Sequence, residues 1–188
     1  PNWIKTCESY YEIWYGSCDD LESITTGRPI YVYNKGKGFS GILDGWNTFN
    51  QPIGTWQVNN VKYMNSMFQS ASVFNQDLSD WNTINVKDMG YMFNKASVFN
   101  GDIDGWDVSN VTNMNNMFSL ARVFNQPIGS WQVNNVTDMH RMFQNASVFN
   151  QDIHKWQVNN VTNMRYMFYG ASVFNKDLKD WDVSNVKY

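Results

Sequence analysis

Carboxylates recur in register along this chain, at Asp77, Asp102, Asp152 and Asp177, with Pro52 and Pro127 at the equivalent places. A pair of acids can cleave a glycosidic bond, but only where two differently tuned carboxyls flank one substrate. An aspartate repeated once per unit reads instead as a turn former. The two histidines, His140 and His154, occupy positions that vary along the sequence, and no motif sets a serine or cysteine nucleophile beside them. The glycine-rich stretch NKGKGFSG at 34–41 matches neither the phosphate-binding loop nor the dinucleotide fingerprint. It reads as a connecting loop. Cys7 and Cys18 are the only cysteines, and both histidines lie far from them in sequence, which is too sparse a ligand set for zinc. No catalytic residue, metal or cofactor is expected, and the chain is read as not an enzyme.

Binding is the chemistry that the remaining side chains suit. Gln57, Asn82, Asp107, Gln132, Gln157 and Asp182 form one polar row, followed two residues later by Asn59, Ile84, Ser109, Asn134, Asn159 and Ser184. Amides and carboxylates at fixed spacing can hydrogen-bond sugar hydroxyls or an extended peptide, so a binding surface is placed there. Tyr91, His140, Arg141, Arg165, Tyr166 and Tyr169 stand where the repeats differ. Arginine and tyrosine are favoured in protein interfaces, and this group is a second candidate contact surface.

Two asparagine rows, Asn60, Asn85, Asn110, Asn135, Asn160 and Asn185, and Asn50, Asn75, Asn100, Asn125, Asn150 and Asn175, are read as internal ladders. Their amides would satisfy one another and turn backbone groups otherwise buried unpaired. Asn110, Asn135, Asn145 and Asn160 also fit N-x-[ST]. With three of these in a buried ladder, Asn145 remains as the glycosylation candidate.

Composition bounds what can position these residues. The 188 residues are 43% hydrophobic and 16% charged, enough for a single core and too apolar for a disordered tail. No apolar run reaches the roughly 18 residues of a membrane span, and the opening PNWIKTCESYYEIWYG lacks the regions of a secretory signal. Because residue 1 is proline and the repeat breaks off at Tyr188, the chain is read as a processed or truncated piece. A net charge of -3, with both signs scattered, leaves no electrostatic footprint for nucleic acid or anionic lipid. The bias towards 26 Asn, 12 Phe, 10 Met and 9 Trp against 5 Leu calls for a repetitive explanation.

That explanation is a 25-residue period. Trp56, Trp81, Trp106, Trp131, Trp156 and Trp181 keep it without an insertion, as do Phe49, Phe74, Phe99, Phe124, Phe149 and Phe174. The methionines fall in pairs such as Met114/Met117, each followed at once by a phenylalanine. Met114, Met117, Phe118 and Ala121 are spaced i, i+3, i+4, i+7, which predicts a short helix over about 112–121 with Thr112 as its N-cap. Trp106 and Val108 alternate with Asp107 and Ser109, which predicts a short strand. A unit of this size cannot bury both its strand face and its helix stripe alone, so neighbours must stack. The expected fold is an α/β repeat solenoid with short parallel strands and one short helix per repeat. It would span 36–188, with a half-repeat at 36–50 and an incomplete last repeat from 176. Residues 1–35 break the period and read as an aromatic-rich N-terminal cap.

The pattern Ile103-x-x-Trp106-x-Val108-x-Asn110 resembles the leucine-rich repeat signature, with aromatic and sulfur side chains in leucine's place. More closely, VFNQDLSDW at 73–81 and WDVSNVTNMNNMF at 106–118 resemble the repeats of BspA-like, Mycoplasma-lipoprotein-type surface proteins. The resemblance covers about residues 39–188 and implies an extracellular, cell-surface or particle-surface location with a role in recognition or adhesion. In such a compartment Cys7 and Cys18 would form a disulfide, the alternative being two buried thiols. The expected function is a non-enzymatic structural or protein-binding module, with a protein partner or self-assembly. The alternative is a carbohydrate-binding adhesin using the polar row.

Overall fold

The computed structural model describes residues 40, 41 and 43–188. The expected cap over 1–35, Cys7, Cys18, Phe39 and Ile42 lie outside the described residues. From residue 43 onward the chain winds in 25-residue rungs that stack in parallel, each residue over its counterpart one repeat away. Single-residue bridges mark this register, from Tyr63 to Asp88 to Asn113 to Asp138 to Asn163.

The repeated apolar positions become columns through the stack. In the rung that opens at Trp106, Met114, Met117, Phe118, Ala121, Phe124 and Ile128 are all fully buried. Trp106 and Trp131 stack at 6.4 Å with planes 1° apart, and Trp131 and Trp156 at 6.5 Å and 1°. A second column runs through Phe93, Phe118 and Phe143 at 5.7 and 5.8 Å, and within one rung Phe118 lies 3.8 Å from Phe124. Burying side chains of this size contributes about 1.5–3 kcal/mol each. The core is therefore continuous from Leu43 to Ala171, although no single rung could close one alone.

The backbone that carries these columns is not the expected one. The described residues contain no α-helix, and strand pairing is confined to the isolated bridges. The α/β leucine-rich-repeat-like architecture, with one strand and one helix per repeat, is thus overturned. Over 112–121 the chain makes successive tight turns: Met117 N–H donates to Met114 O, Ser119 to Asn116 and Ala121 to Phe118. Asn116 and Leu120 sit at φ 54° and 63°, in the left-handed region that a right-handed helix excludes. The intervening amides leave the rung altogether. Asn116 N–H donates to His140 O at 2.7 Å, Phe118 to Met142 at 2.9 Å and Leu120 to Gln144 at 2.7 Å.

Two physical causes favour this arrangement. A ten-residue helix is marginal by itself, and TNMNNMFSLA is rich in weak helix formers. Peptides turned along the stacking direction also bond rung to rung, which an internally satisfied helix would not do. The i, i+3, i+4, i+7 spacing reports burial correctly, because the turns also bring Met114, Met117, Phe118 and Ala121 to one side.

The expected strand is replaced too. Trp106 closes a turn on Ile103 O, Val111 closes another on Val108 O, and no bridge joins 106–109 to a neighbour. Side chains take over the cross-links there. The indole Nε1 of Trp81, Trp106, Trp131, Trp156 and Trp181 donates to a carbonyl one rung back, as from Trp106 to Leu78 O at 2.9 Å and Trp156 to Ile128 O at 3.0 Å. Asn110, Asn135 and Asn160 donate Nδ2 to the carbonyls of Ile84, Ser109 and Asn134 at 2.7–2.8 Å. In the other row, each Asn Oδ1 from Asn50 to Asn150 accepts the main-chain N–H of the next counterpart, as Asn100 does from Asn125 at 2.8 Å.

Both rows therefore bond to backbone, and the Asn110 row is solvent-exposed, not internal. Asn richness supplies hydrogen bonds that regular secondary structure would otherwise have provided. A direct check compares two adjacent asparagines. Asn135→Ala should cost about 1 kcal/mol in urea unfolding, while Asn134→Ala, whose side chain makes none of these bonds, should be near neutral. Equal costs would contradict the side-chain ladder.

Candidate functional site

The polar row is exposed throughout, but most of its side chains are committed to their own turns. Asn82, Asp107 and Asp182 accept the N–H two residues on, from Ile84, Ser109 and Ser184, at 2.9–3.2 Å. Gln132 and Gln157 turn back to the carbonyls of Ser130 and Lys155 at 3.2 and 3.4 Å, and Gln57 makes a long 3.5 Å contact to Thr55 O. The recurrent aspartates behave in the same way. Asp77, Asp102, Asp152 and Asp177 accept the amides of Ser79, Asp104, His154 and Lys179. Those turn amides hold Asp77 and Asp177 below the ordinary carboxylate value, while for Asp152 the His154 ring comes first and its amide second.

A second group of varied positions lies in the tight-turn stretch of each rung. Asn116, Arg141 and Tyr166 stand one above another, all at φ 54–59°, and the neighbouring position carries Asn115, His140 and Arg165. Arg165 Cζ lies 4.8 Å and Arg141 Cζ 5.5 Å from the Tyr166 ring centroid. Arg165 Nη2 donates to Tyr166 Oη at 3.2 Å. His140 is 6.3 Å from the Tyr166 ring, and Tyr169 meets Tyr166 edge-on at 5.8 Å.

The structure thus unites five of the six residues expected here. Tyr91, 40% exposed, shares the column but lies two rungs from Arg141, with Asn116 between. Asp138 belongs to the group although its sequence position gave no hint of it. It is the bridging residue of its rung, and its Oδ1 accepts His140 N–H at 2.8 Å.

A family model described as a Mycoplasma protein of unknown function, DUF285, matches residues 33–123 and again residues 99–188. The chain belongs to the DUF285 family. The two matches overlap over one repeat, 99–123, so the family is itself defined by several rungs of this kind. No curated protein and no solved structure matches the chain. In this DUF285 chain no group of three or more His, Cys, Asp or Glu is placed to hold a metal ion among the described residues. No helix there is long and apolar enough to cross a membrane. Asn145 is half-buried at φ 55°, its carboxamide pressed against Gly170, whereas Asn110, Asn135 and Asn160 are exposed. Their relative accessibility is the reverse of that expected from a buried ladder.

Charge on the tight-turn face of this DUF285 member is unbalanced. Desolvation and Arg141 hold the His140 imidazole below its ordinary 6.5, opposed by Asp138, with Arg165 adding to the lowering. Replacing Arg141 and Arg165 together by Gln removes two of the lowering causes and should move the His140 titration to higher pH. Proton NMR of the imidazole reads this directly. An unchanged or lower value would mean that the arginines do not face His140 as described.

Proposed function

We propose that the chain is a non-enzymatic, surface-exposed repeat module whose tight-turn face, around Arg141, Arg165, Tyr166 and Tyr169, contacts a protein partner. The observation that carries this reading is the division of the outward residues. Asn, Trp, Gln, Ser and Thr at repeated places are largely consumed in hydrogen bonds to neighbouring rungs or to their own turns, while Arg141, Arg165, Tyr166 and Tyr169 gather on the tight-turn side as a cluster. Stacked rungs make that side rigid, so little conformational entropy is lost when a partner docks. BspA-like surface display fits this division of labour. A glycan-binding polar row has less support, because its side chains are largely turned onto their own backbone.

The test compares the native mass and the proteins retained from source extract for the wild-type chain and for Tyr166→Ser/Tyr169→Ser. A defined, identified partner lost in the variant is the expected result. A monomer that retains nothing, or a partner held equally by both, would contradict the reading.

A further inference from the structure

We propose that Arg141 and Arg165, on adjacent rungs over the Tyr166 ring, bind the carboxylates of an acidic segment of a partner protein. This rests on reading the tight-turn face as a protein contact surface, and it names the chemistry of what docks there.

The guanidinium groups are held in place but not neutralised. Tyr166 fixes both, through ring contacts at 4.8 and 5.5 Å and the hydrogen bond from Arg165 to its hydroxyl. Among the described residues neither arginine makes an ion pair; the ion pairs there are His154 with Asp152 and Lys179 with Asp177. Asp138 is the one carboxylate shown to act on the cluster, and its Oδ1 already takes the His140 amide. Buried Arg141 Nε has no hydrogen-bond partner, so its guanidinium keeps at least one donor unused.

Two like charges sharing one aromatic ring repel each other, and a carboxylate between or beside them relieves that repulsion. Arginine is suited to the task because its planar fork grips a carboxylate through two parallel hydrogen bonds. Adjacent rungs are about 4.8 Å apart, so carboxylates of one extended segment can engage both forks. Exposed Asp77, Asp80, Asp102, Asp104 and Asp107 repel an acidic segment from their own part of the surface, and what sets Arg141 and Arg165 apart from the exposed lysines is that both are held over one ring. Tyr166 and Tyr169, 43% and 62% exposed, supply flanking apolar contact of the kind found in protein interfaces.

The experiment titrates the full chain calorimetrically with a ten-residue Glu-rich peptide, with its Gln counterpart and with polygalacturonate. The Glu peptide is expected to bind, more weakly at high salt, and the Gln peptide not to bind. Arg141→Gln and Arg165→Gln should each weaken binding by about tenfold, with the amide NMR spectrum otherwise preserved. Failure of the Glu peptide to bind, or equal binding by the double variant, would overturn the proposal. So would preference for polygalacturonate, or self-association lost in the same variants. A partner retained from extract by Arg141→Gln/Arg165→Gln as well as by wild type, yet lost in Tyr166→Ser/Tyr169→Ser, overturns the acidic-segment inference while leaving the contact face standing. A partner indifferent to all four substitutions overturns both.

Discussion

Trp131→Ala is expected to lower the unfolding free energy by about 3–5 kcal/mol. The indole is only 3% exposed and is sandwiched between Trp106 and Trp156 at 6.4 and 6.5 Å. It also touches the Phe118 ring at 6.4 Å and donates Nε1 to Ile103 O at 3.3 Å. Alanine removes the ring from the middle of a column, where neighbouring rungs are pinned by their own hydrogen bonds and cannot collapse into the space. Because a stack is stabilised by nearest-neighbour interfaces, loss at a central rung weakens coupling on both sides. Unfolding should therefore broaden as well as shift. Trp131→Phe, which keeps a ring but loses the donor, should fall between wild type and alanine. Gln132→Ala, one residue on and exposed, should cost little. Similar losses for Trp131→Ala and Gln132→Ala in urea unfolding would mean that the inward and outward sides have been exchanged.

Gly101→Ala should be nearly as damaging, although the repeat suggests otherwise. Gln occupies the corresponding place at Gln76, Gln126 and Gln151, so averaging over repeats would favour a side chain here. In the structure an added Cβ at Gly101 falls inside the van der Waals radius of the Gln76 carbonyl oxygen, and it also comes within 2.9 Å of the Gln76 carbonyl carbon and 3.0 Å of Phe99 Cε2. Lacking the amide that Gln126 uses to reach Asn100 O, this rung draws its backbone against the one before. A backbone carbonyl cannot swing aside as a side-chain tip can, so a loss of about 2–3 kcal/mol is expected, at the upper end of overpacking effects. Gly105→Ala is the control, since its nearest neighbour, Ser79 O, lies 3.9 Å from the added atom. A benign Gly101→Ala would contradict the close approach of these two rungs.

What was legible in the sequence was the register and the burial. The 25-residue period of Trp, Phe and Met placed the aromatic and sulfur columns of the core, and the alternation around Trp106 and Val108 identified inward residues correctly. Backbone conformation was not legible, because side-chain periodicity reports which residues face inward and not how the peptides between them are oriented. Turns with left-handed residues at Asn116 and Leu120 place Met114, Met117, Phe118 and Ala121 inward just as a helix would. The asparagine rows were legible as ladders, but whether Asn110, Asn135 and Asn160 bond one another inside or backbone carbonyls at the surface depends on the backbone path. On the tight-turn face, residue type pointed to Arg141, Arg165, Tyr166 and Tyr169. The part played by Asp138 depended on the bridge that aligns successive rungs, and no spacing within one repeat reveals that.

Scalar coupling across hydrogen bonds, recorded by long-range HNCO on labelled protein, tests the stacked-turn backbone most directly. The decisive correlation joins the Phe118 amide nitrogen to the carbonyl carbon of its acceptor. Stacked turns predict Met142, whose carbonyl oxygen lies 2.9 Å from that nitrogen, with matching correlations from Phe93 to Met117 and from Phe143 to Met167. A correlation from Phe118 to Met114, four residues back as in an α-helix, would contradict the account.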